Sequence, residues 1–292
     1  MTTTSKIRIA AAPISWGVCE VPGWGRVLEA ATVLGEMARL GVAATELGPP
    51  GYLPRDPARL RELLARHSLT LVGGFLAVVM HTGQEKALAE AGESAALLAA
   101  CGAEVLVLAA ATGLDGYDER PELTGAEWAT LIGTAGKIRD LAARHGLRTV
   151  LHPHVGTHVE RRAEVERFLA DSDLALCLDT GHLMIGGTDP AELAGRHPDR
   201  VGHVHLKDVR GELAAEVRAG RLGYTEAVGR GLYVPLGEGD VDVAAMVRSV
   251  QSAGYGGWYV LEQDTALGEA SPDDRPRRDA ERSLAFLTKI TE

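Results

Sequence analysis

Residues 7–17 read IRIAAAPISWG, a short apolar run that is followed at once by a proline and a tryptophan. In a doubly wound α/β sheet, the first strand would be expected to lead into a glycine-rich loop that cradles phosphate. This stretch fits neither GxGxxG nor the P-loop pattern. The start of the chain therefore favours the other parallel α/β architecture, a closed barrel.

Apolar runs of strand length recur along the chain and alternate with longer stretches of helical period. The predicted strands are Ile7–Ala12, Ala43–Glu46, Thr70–Phe75, Val105–Ala109, Arg148–His152, Leu174–Leu178, Val201–Leu206 and Trp258–Glu262. The predicted helices lie near Gly25–Leu40, Pro57–His67, Gln84–Cys101, Thr124–His145, Arg161–Ala170, Pro190–Arg196, Val243–Ala253 and Asp273–Thr288. Eight βα units without a Pro/Gly/Ser-rich linker predict one α/β domain over residues 1–292, a (β/α)8 or TIM barrel.

Two kinds of local signal support the helix boundaries. Thr124 followed by Glu127 predicts a capping box, and Gly41, Gly102 and Gly146 stand where a glycine ends a helix. The longest segment without a predicted element comes after the seventh strand, from about residue 208 to residue 242. Long ordered loops usually act as lids or binding loops, and in a barrel this one lies on the catalytic face.

Composition and charge narrow the class of protein. The chain has 30 Lys and Arg against 40 Asp and Glu, and this net charge of −10 disfavours a nucleic-acid partner. Its longest apolar stretch, Leu71–Met80, is too short to span a membrane. Residues 1–8 lack the features of a signal peptide, and the three cysteines are far apart and odd in number. We therefore expect a cytoplasmic protein with reduced thiols.

Polar side chains collect at the carboxyl ends of the predicted strands. Seven of the ten histidines fall between residues 152 and 205. The carboxyl ends of barrel strands meet on one face, so residues about 30 positions apart converge there. The residues predicted to lie on this face are Glu46, His152, His154, Asp179, His182, His203, His205, Lys207 and Glu262. Imidazoles and carboxylates together suit a borderline divalent cation such as Mn²⁺, Co²⁺ or Zn²⁺.

The seventh strand carries the densest part of this pattern. His203, His205 and Lys207 alternate with apolar residues and therefore share one face of the strand. Burying three such groups is costly unless they are hydrogen-bonded or bound to something, which favours a site. Two other assignments stay open, because Glu46 could be a satisfied inward carboxylate and Trp16 could be either a packing residue or a substrate-stacking wall.

The chain resembles the xylose-isomerase-like superfamily of metal-dependent sugar isomerases and epimerases, and within it the inosose dehydratases. The segments that carry the resemblance are LHPHVGT (151–157), LDTGH (178–182), HVHLKDVR (203–210), VPLGEGD (234–240) and EQD (262–264). The resemblance spans most of the chain and implies that the metal ligands are His152, Asp179, His205 and Glu262.

Two departures from the family pattern bear on the reaction. The sugar epimerases of the superfamily end their fifth strand in a glutamate, whereas His152 stands here, as it does in inosose dehydratases. The paired carboxylates for epimerisation are therefore missing. The segment 16–20 also differs from the acidic, Asn-containing segment associated with inosose dehydratases, which leaves the substrate open.

These observations predict a metal-dependent enzyme that acts on a keto-polyol or sugar through an enolate. Loss of water, as in inosose dehydratases, is the favoured reaction, and isomerisation or epimerisation on the same site is the alternative. Glu262 or His154 would take the α-proton, and His182 or Lys207 would assist the leaving hydroxyl or the oxyanion. The predicted substrate contacts are Glu46, Trp16, His203 and Arg210.

Mn²⁺ or Co²⁺ is the expected metal, with Zn²⁺ as an alternative. A homo-oligomer is expected by analogy with the family. A non-catalytic sugar-binding barrel and an endonuclease-like member stand as hypotheses of other classes, and the acidic charge argues against the nuclease.

Overall fold

The computed structural model of the protein describes residues 7–19, 21 and 23–292. Residues 1–6 lie outside this range, and they make up most of the segment in which we expect no signal peptide. Glu20 also lies outside it. No helix in the described part of the chain is long and apolar enough to cross a membrane.

Eight parallel strands close into a barrel, which confirms the predicted fold class. They are β1 (Arg8–Ala11), β2 (Ala44–Glu46), β3 (Thr70–Val78), β4 (Val105–Ala110), β5 (Arg148–Leu151), β6 (Ala175–Asp179), β7 (Val201–Leu206) and β10 (Trp258–Leu261). Each strand pairs with its sequence neighbour around the barrel, and β10 closes it between β7 and β1. A further antiparallel pair, β8 (Asp208–Val209) and β9 (Tyr233–Val234), lies outside the barrel.

Helices follow the strands and cover the barrel. They are α1 (Ala30–Arg39), α2 (Pro57–Arg66), α3 (Glu85–Ala100), α4 (Gly125–Arg144), α5 (Arg162–Asp171), α6 (Thr180–Ile185), α7 (Pro190–Arg196), α8 (Gly211–Arg218), α9 (Tyr224–Gly229), α10 (Val243–Ser252) and α11 (Arg275–Thr291). The predicted capping box is present, because the Thr124 amide donates to Glu127 Oε2 at 2.8 Å and Thr124 Oγ1 accepts from the Glu127 amide at 3.3 Å. Gly41, Gly102 and Gly146 all have positive φ after their helices, as predicted.

Two predicted segments differ from the structure. The first helix begins at Ala30 and not near Gly25, because Gly25 has φ 148° and lies against the Leu267 backbone, where a side chain would clash. The segment from residue 208 to residue 242 is more regular than predicted. It forms α8, α9 and the β8/β9 pair, elements that are too short to produce a readable period.

The core lies between the helices and the barrel wall. Every residue of β4 is buried, and α3 buries Ala87, Ala91, Ala95 and Leu98 along one face. Inside the barrel, the strand register sets the polar residues side by side. Asp179 on β6 pairs with His205 on β7, and Cys177 pairs with His203 one layer below. The fold therefore presents polar groups from neighbouring strands at the carboxyl end of the barrel.

Candidate metal centre and active site

Four donor atoms from four strand ends converge inside the barrel. They belong to His152, Asp179, His205 and Glu262, and all lie within 4.8 Å of one another. Asp179 Oδ2 is 3.4 Å from His152 Nε2 and 3.6 Å from His205 Nδ1. Glu262 Oε2 is 3.3 Å from His205 Nδ1. The structure thus brings together the ligand set that the sequence predicted.

The spacing of these atoms fits a divalent cation. Ligand atoms bound about 2.0–2.2 Å from one tetrahedral ion are about 3.3–3.6 Å apart, which matches the three distances above. Asp179 Oδ2 and His205 Nδ1 are buried and have no hydrogen-bond partner among the described residues. Leaving two such atoms without a partner is costly, and a bound cation would satisfy both.

Hydrogen bonds behind the ligands orient their free atoms. His152 Nδ1 donates to the Pro153 carbonyl at 2.8 Å, which leaves Nε2 as the lone-pair nitrogen. His205 Nε2 donates to Glu46 Oε1 at 3.1 Å, which leaves Nδ1 free to bind a metal. Asp179 Oδ1 accepts from the His182 amide at 2.8 Å, so Oδ2 is the free oxygen. Partners of this kind fix the tautomer and raise ligand basicity.

Glu46 is the carboxylate that orients the His205 ring by accepting from its Nε2. Burial alone would raise its pKa, but the neighbouring His205 and His203 outweigh burial and hold the pKa of Glu46 well below its ordinary value. Glu46 is 2% exposed and also accepts from His203 Nε2 at 2.8 Å. It therefore stays ionised beneath the site.

We expect Glu46→Gln to weaken metal binding by about 10- to 100-fold, because the neutral amide no longer supports His205 electrostatically. Saturating metal should restore most of the activity. Chelator-competition titration measures the metal affinity. Glu36→Gln is the matched control, because Glu36 is a buried glutamate that accepts a hydrogen bond from Trp16. Equal affinities for the two variants would show that Glu46 does not support the ligand.

A cavity of about 100 Å³ is lined by three of the four donor residues, His152, His205 and Glu262. Its polar lining includes Glu46, His152, His154, His205, Lys207, Glu262 and Asp264. The rest of its wall is mostly apolar and comes from Ala12, Pro13, Ile14, Val18, Cys19, Trp24, Gly48, Pro49, Pro50, Phe75 and Tyr117. A few convergent polar groups in an otherwise apolar cleft are typical of a small-molecule site.

His154 presents a neutral imidazole to this cavity. Its Nδ1 donates to the Val155 carbonyl at 2.7 Å, and its Nε2 makes no hydrogen bond in the described structure. Burial, reinforced by His152 and the positive charge of Lys207, lowers the pKa of His154 to about 3. The ring therefore offers a free lone pair next to the metal site.

Lys207 supplies the positive charge of the cavity. Its Nζ lies 2.9 Å from Glu262 Oε2 and 3.7 Å from Asp179 Oδ2, and it also contacts Asp264 Oδ1. Burial opposes the charged form, but these carboxylates outweigh it and hold the pKa of Lys207 well above its ordinary value. The ammonium is thus a donor held among acceptors.

Besides Asp179, which is fully buried beside the cavity, four predicted site residues do not line it. Trp16 is fully buried, because the 3₁₀ turn Pro13–Trp16 directs its indole into the core, where Nε1 donates to Glu36 at 2.7 Å. Arg210 is exposed at the start of α8. His182 is buried behind the wall, with Nε2 3.3 Å from Lys207 Nζ.

His203 is the fourth of these residues, and its position follows from strand geometry. It shares a face with His205, but residues two apart on a strand are separated by about 6.6 Å along the strand. His203 therefore lies a layer deeper and lines a separate pocket of about 580 Å³ at the amino end of the barrel, beside Arg8 and Trp258. It contacts the site through its hydrogen bond to Glu46, and its ring lies 5.2 Å from that of His205.

Three lining residues, Asp264, Phe75 and Tyr117, have no role in the sequence prediction. Asp264 follows Glu262 by two positions, so the alternation of an extended chain was a signal for it. Phe75 is 37% exposed and its ring lies 5.4 Å from that of His154. Trp24, and not Trp16, is the tryptophan of the cavity wall, and Tyr117 packs near it at 6.4 Å. Trp24 and Tyr117 lie in loops, which carry no periodic signal, whereas Phe75 lies on β3.

Comparison with known proteins identifies the family. The model of the xylose isomerase-like TIM barrel family matches residues 34–290. The chain belongs to this family. Among curated relatives, the inosose dehydratase of Erwinia tasmaniensis is 34% identical over 280 residues, which cover 92% of this chain and 93% of the relative. The chain is therefore an enzyme of the xylose isomerase-like superfamily.

Solved structures share the fold at low sequence identity. A D-allulose 3-epimerase from a Methylomonas species matches with a TM-score of 0.71 and 17% identity over 98% of this chain and 97% of the other. A structure of the IolI protein with a bound zinc atom matches with a TM-score of 0.71 and 14% identity over 98% of each chain. These likenesses show the same barrel architecture along nearly the whole chain.

Proposed function

We propose that this enzyme eliminates water from a keto-polyol, as the inosose dehydratases do, with a divalent metal ion held by His152, Asp179, His205 and Glu262. The observation that carries the proposal is the pair of chemically different groups beside the metal site. His154 presents a neutral ring nitrogen and Lys207 a charged ammonium to the same cavity. Elimination of water needs a base at the carbon next to the carbonyl and an acid at the departing hydroxyl oxygen. This pair can supply both.

The donor set and the relatives support a divalent cation. Two imidazoles and two carboxylates suit Mn²⁺ or Co²⁺, with Zn²⁺ as the alternative that the zinc-bound IolI structure supports. Such a cation, when bound, polarises the substrate carbonyl and stabilises the negative charge left by proton removal.

The residues of this chain would handle the protons. His154 Nε2 takes the proton from the carbon next to the carbonyl, and that electron pair forms the new carbon–carbon double bond. The bond between the adjacent carbon and its hydroxyl oxygen breaks. Lys207 Nζ gives its proton to this departing oxygen, which leaves as water. Glu46 borders the same cavity and orients substrate hydroxyls. The apolar wall, with Trp24 and Phe75, excludes bulk water from the reacting atoms.

An isomerase or epimerase on the same metal site is the second candidate. The structural match to a D-allulose 3-epimerase favours it. Against it, the position at the end of β5 carries His152 where epimerases of the superfamily carry a second carboxylate.

The test is mass-spectrometric product analysis of the metal-reconstituted enzyme with scyllo-inosose. We expect a product lighter by one water, and no product after EDTA treatment, because the enolate loses its stabilising charge. Reconstitution of the EDTA-treated sample with Mn²⁺ or Co²⁺ is the control for irreversible damage. A product of unchanged mass would overturn the dehydratase proposal in favour of isomerisation, and no turnover of this ketone would overturn it for an inosose substrate.

A further inference from the structure

Asp264 is a buried carboxylate in the cavity wall that the proposed chemistry does not use. Its side chain is 6% exposed. One oxygen, Oδ1, contacts Lys207 Nζ, and the other, Oδ2, accepts a hydrogen bond from the Tyr224 hydroxyl at 2.7 Å. Asp264 therefore joins the proposed proton donor to a second part of the molecule.

That second part is the segment after β7. Tyr224 is the first residue of α9, and its hydroxyl lies 2.9 Å from the hydroxyl of Tyr233 in β9. The ring of Tyr233 in turn lies 5.4 Å from Lys207 Nζ. The backbone amide of Tyr224 donates to Asp118 Oδ1 at 2.8 Å. The contacts of Asp264 thus link Lys207 to α9 and β9.

The Lys207 ammonium needs a carboxylate partner that does not also bind the metal. Two of its neighbours, Glu262 and Asp179, belong to the four-residue metal-ligand group, whereas Asp264 belongs to none of the groups found in the described residues. A cation bound by Glu262 and Asp179 would repel the ammonium and offset their attraction for it. Asp264 would then be the remaining negative charge that holds Lys207 beside the cavity.

We propose that Asp264 is a positioning residue, which holds the Lys207 ammonium clear of the metal ligands and ties it to the segment of α9 and β9 through Tyr224. The inference rests on the proposed function for the role of Lys207 as proton donor. The tie to α9 and β9 can be tested without activity.

The experiment compares Asp264→Asn, Asp264→Glu and Tyr224→Phe with the wild-type enzyme. Tyr259→Phe is the matched control, because Tyr259 is buried and its hydroxyl has no hydrogen-bond partner in the described part of the chain. For each protein we would measure kcat and KM with scyllo-inosose, bound Mn²⁺ per chain, and hydrogen–deuterium exchange of the peptide 211–234.

We expect Asp264→Asn to lower kcat by about 10- to 100-fold with bound Mn²⁺ unchanged. KM should change by less than about threefold, because the lost interaction acts on the chemical step. Asp264→Glu, which keeps the charge, should recover part of kcat. Exchange in peptide 211–234 should rise in both Asp264→Asn and Tyr224→Phe and stay at the wild-type level in Tyr259→Phe.

Wild-type kcat in Asp264→Asn would overturn the positioning role, and so would a loss of activity that only follows loss of Mn²⁺. Unchanged exchange in Tyr224→Phe would overturn the tie to α9 and β9, even if Asp264→Asn does not fold. If the wild-type enzyme does not dehydrate the ketone, the proposed function fails, while the exchange comparison still decides whether Asp264 and Tyr224 hold the segment.

Discussion

Replacing Glu262 by Gln is expected to lower kcat by at least about 100-fold, even in excess metal. Glu262 Oε2 lies 3.3 Å from His205 Nδ1 and 2.9 Å from Lys207 Nζ, so one charge would serve both the proposed metal site and the proposed proton donor. The amide keeps the size of the side chain and loses its charge. Excess metal can refill the site, but the neutral amide no longer offsets the repulsion between the cation and the Lys207 ammonium.

The measurement is kcat at saturating ketone across a metal titration. Glu281→Gln is a suitable control, because Glu281 lies on the surface of α11 in an ion pair with Arg277, and exposed pairs contribute little. Activity of Glu262→Gln that returns to the wild-type level at high metal would reduce Glu262 to a simple ligand. Activity retained without added metal would remove it from the site altogether.

The sequence predicts the barrel well because the barrel depends on period and alternation. Most strands are short, largely buried runs rich in apolar residues, and each long helix repeats its apolar residues at helical spacing, so both can be recognised locally. The segment after β7 is different. Its short helices and two-residue strands are held by individual contacts, such as Asp208 accepting from the Gly237 and Val241 amides, which no periodic pattern reveals.

The structure brings the central residues of the predicted site together and departs from the prediction at its edge, for a similar reason. Strand ends must converge in a barrel, so His152 and Asp179 were certain to lie close together once the fold was known. The depth of a residue along the strand is a finer matter, and His203 lies one layer too low. Loop side chains depend on local backbone turns, and this is why Trp24 lines the cavity while Trp16 packs against Glu36.

Variants of His152 and His154 distinguish most clearly between a metal ligand and a general base. They are two residues apart at one strand end, their rings are 5.2 Å apart, and both line the cavity. Only His152 belongs to the four-donor group. We therefore expect His152→Gln to lose bound metal and activity together, since it removes one of four ligands.

His154→Gln is expected to keep its metal and to lose about 10²- to 10⁴-fold in kcat, the usual range for removing a general base. Metal analysis of the purified variants measures the first quantity, and steady-state kinetics the second. The decisive reading is exchange of the substrate α-proton with solvent deuterium, because that step needs the base and not the acid. Wild-type exchange in His154→Gln would assign the proton to another group and leave Glu262 as the candidate, since its carboxylate also lines the cavity.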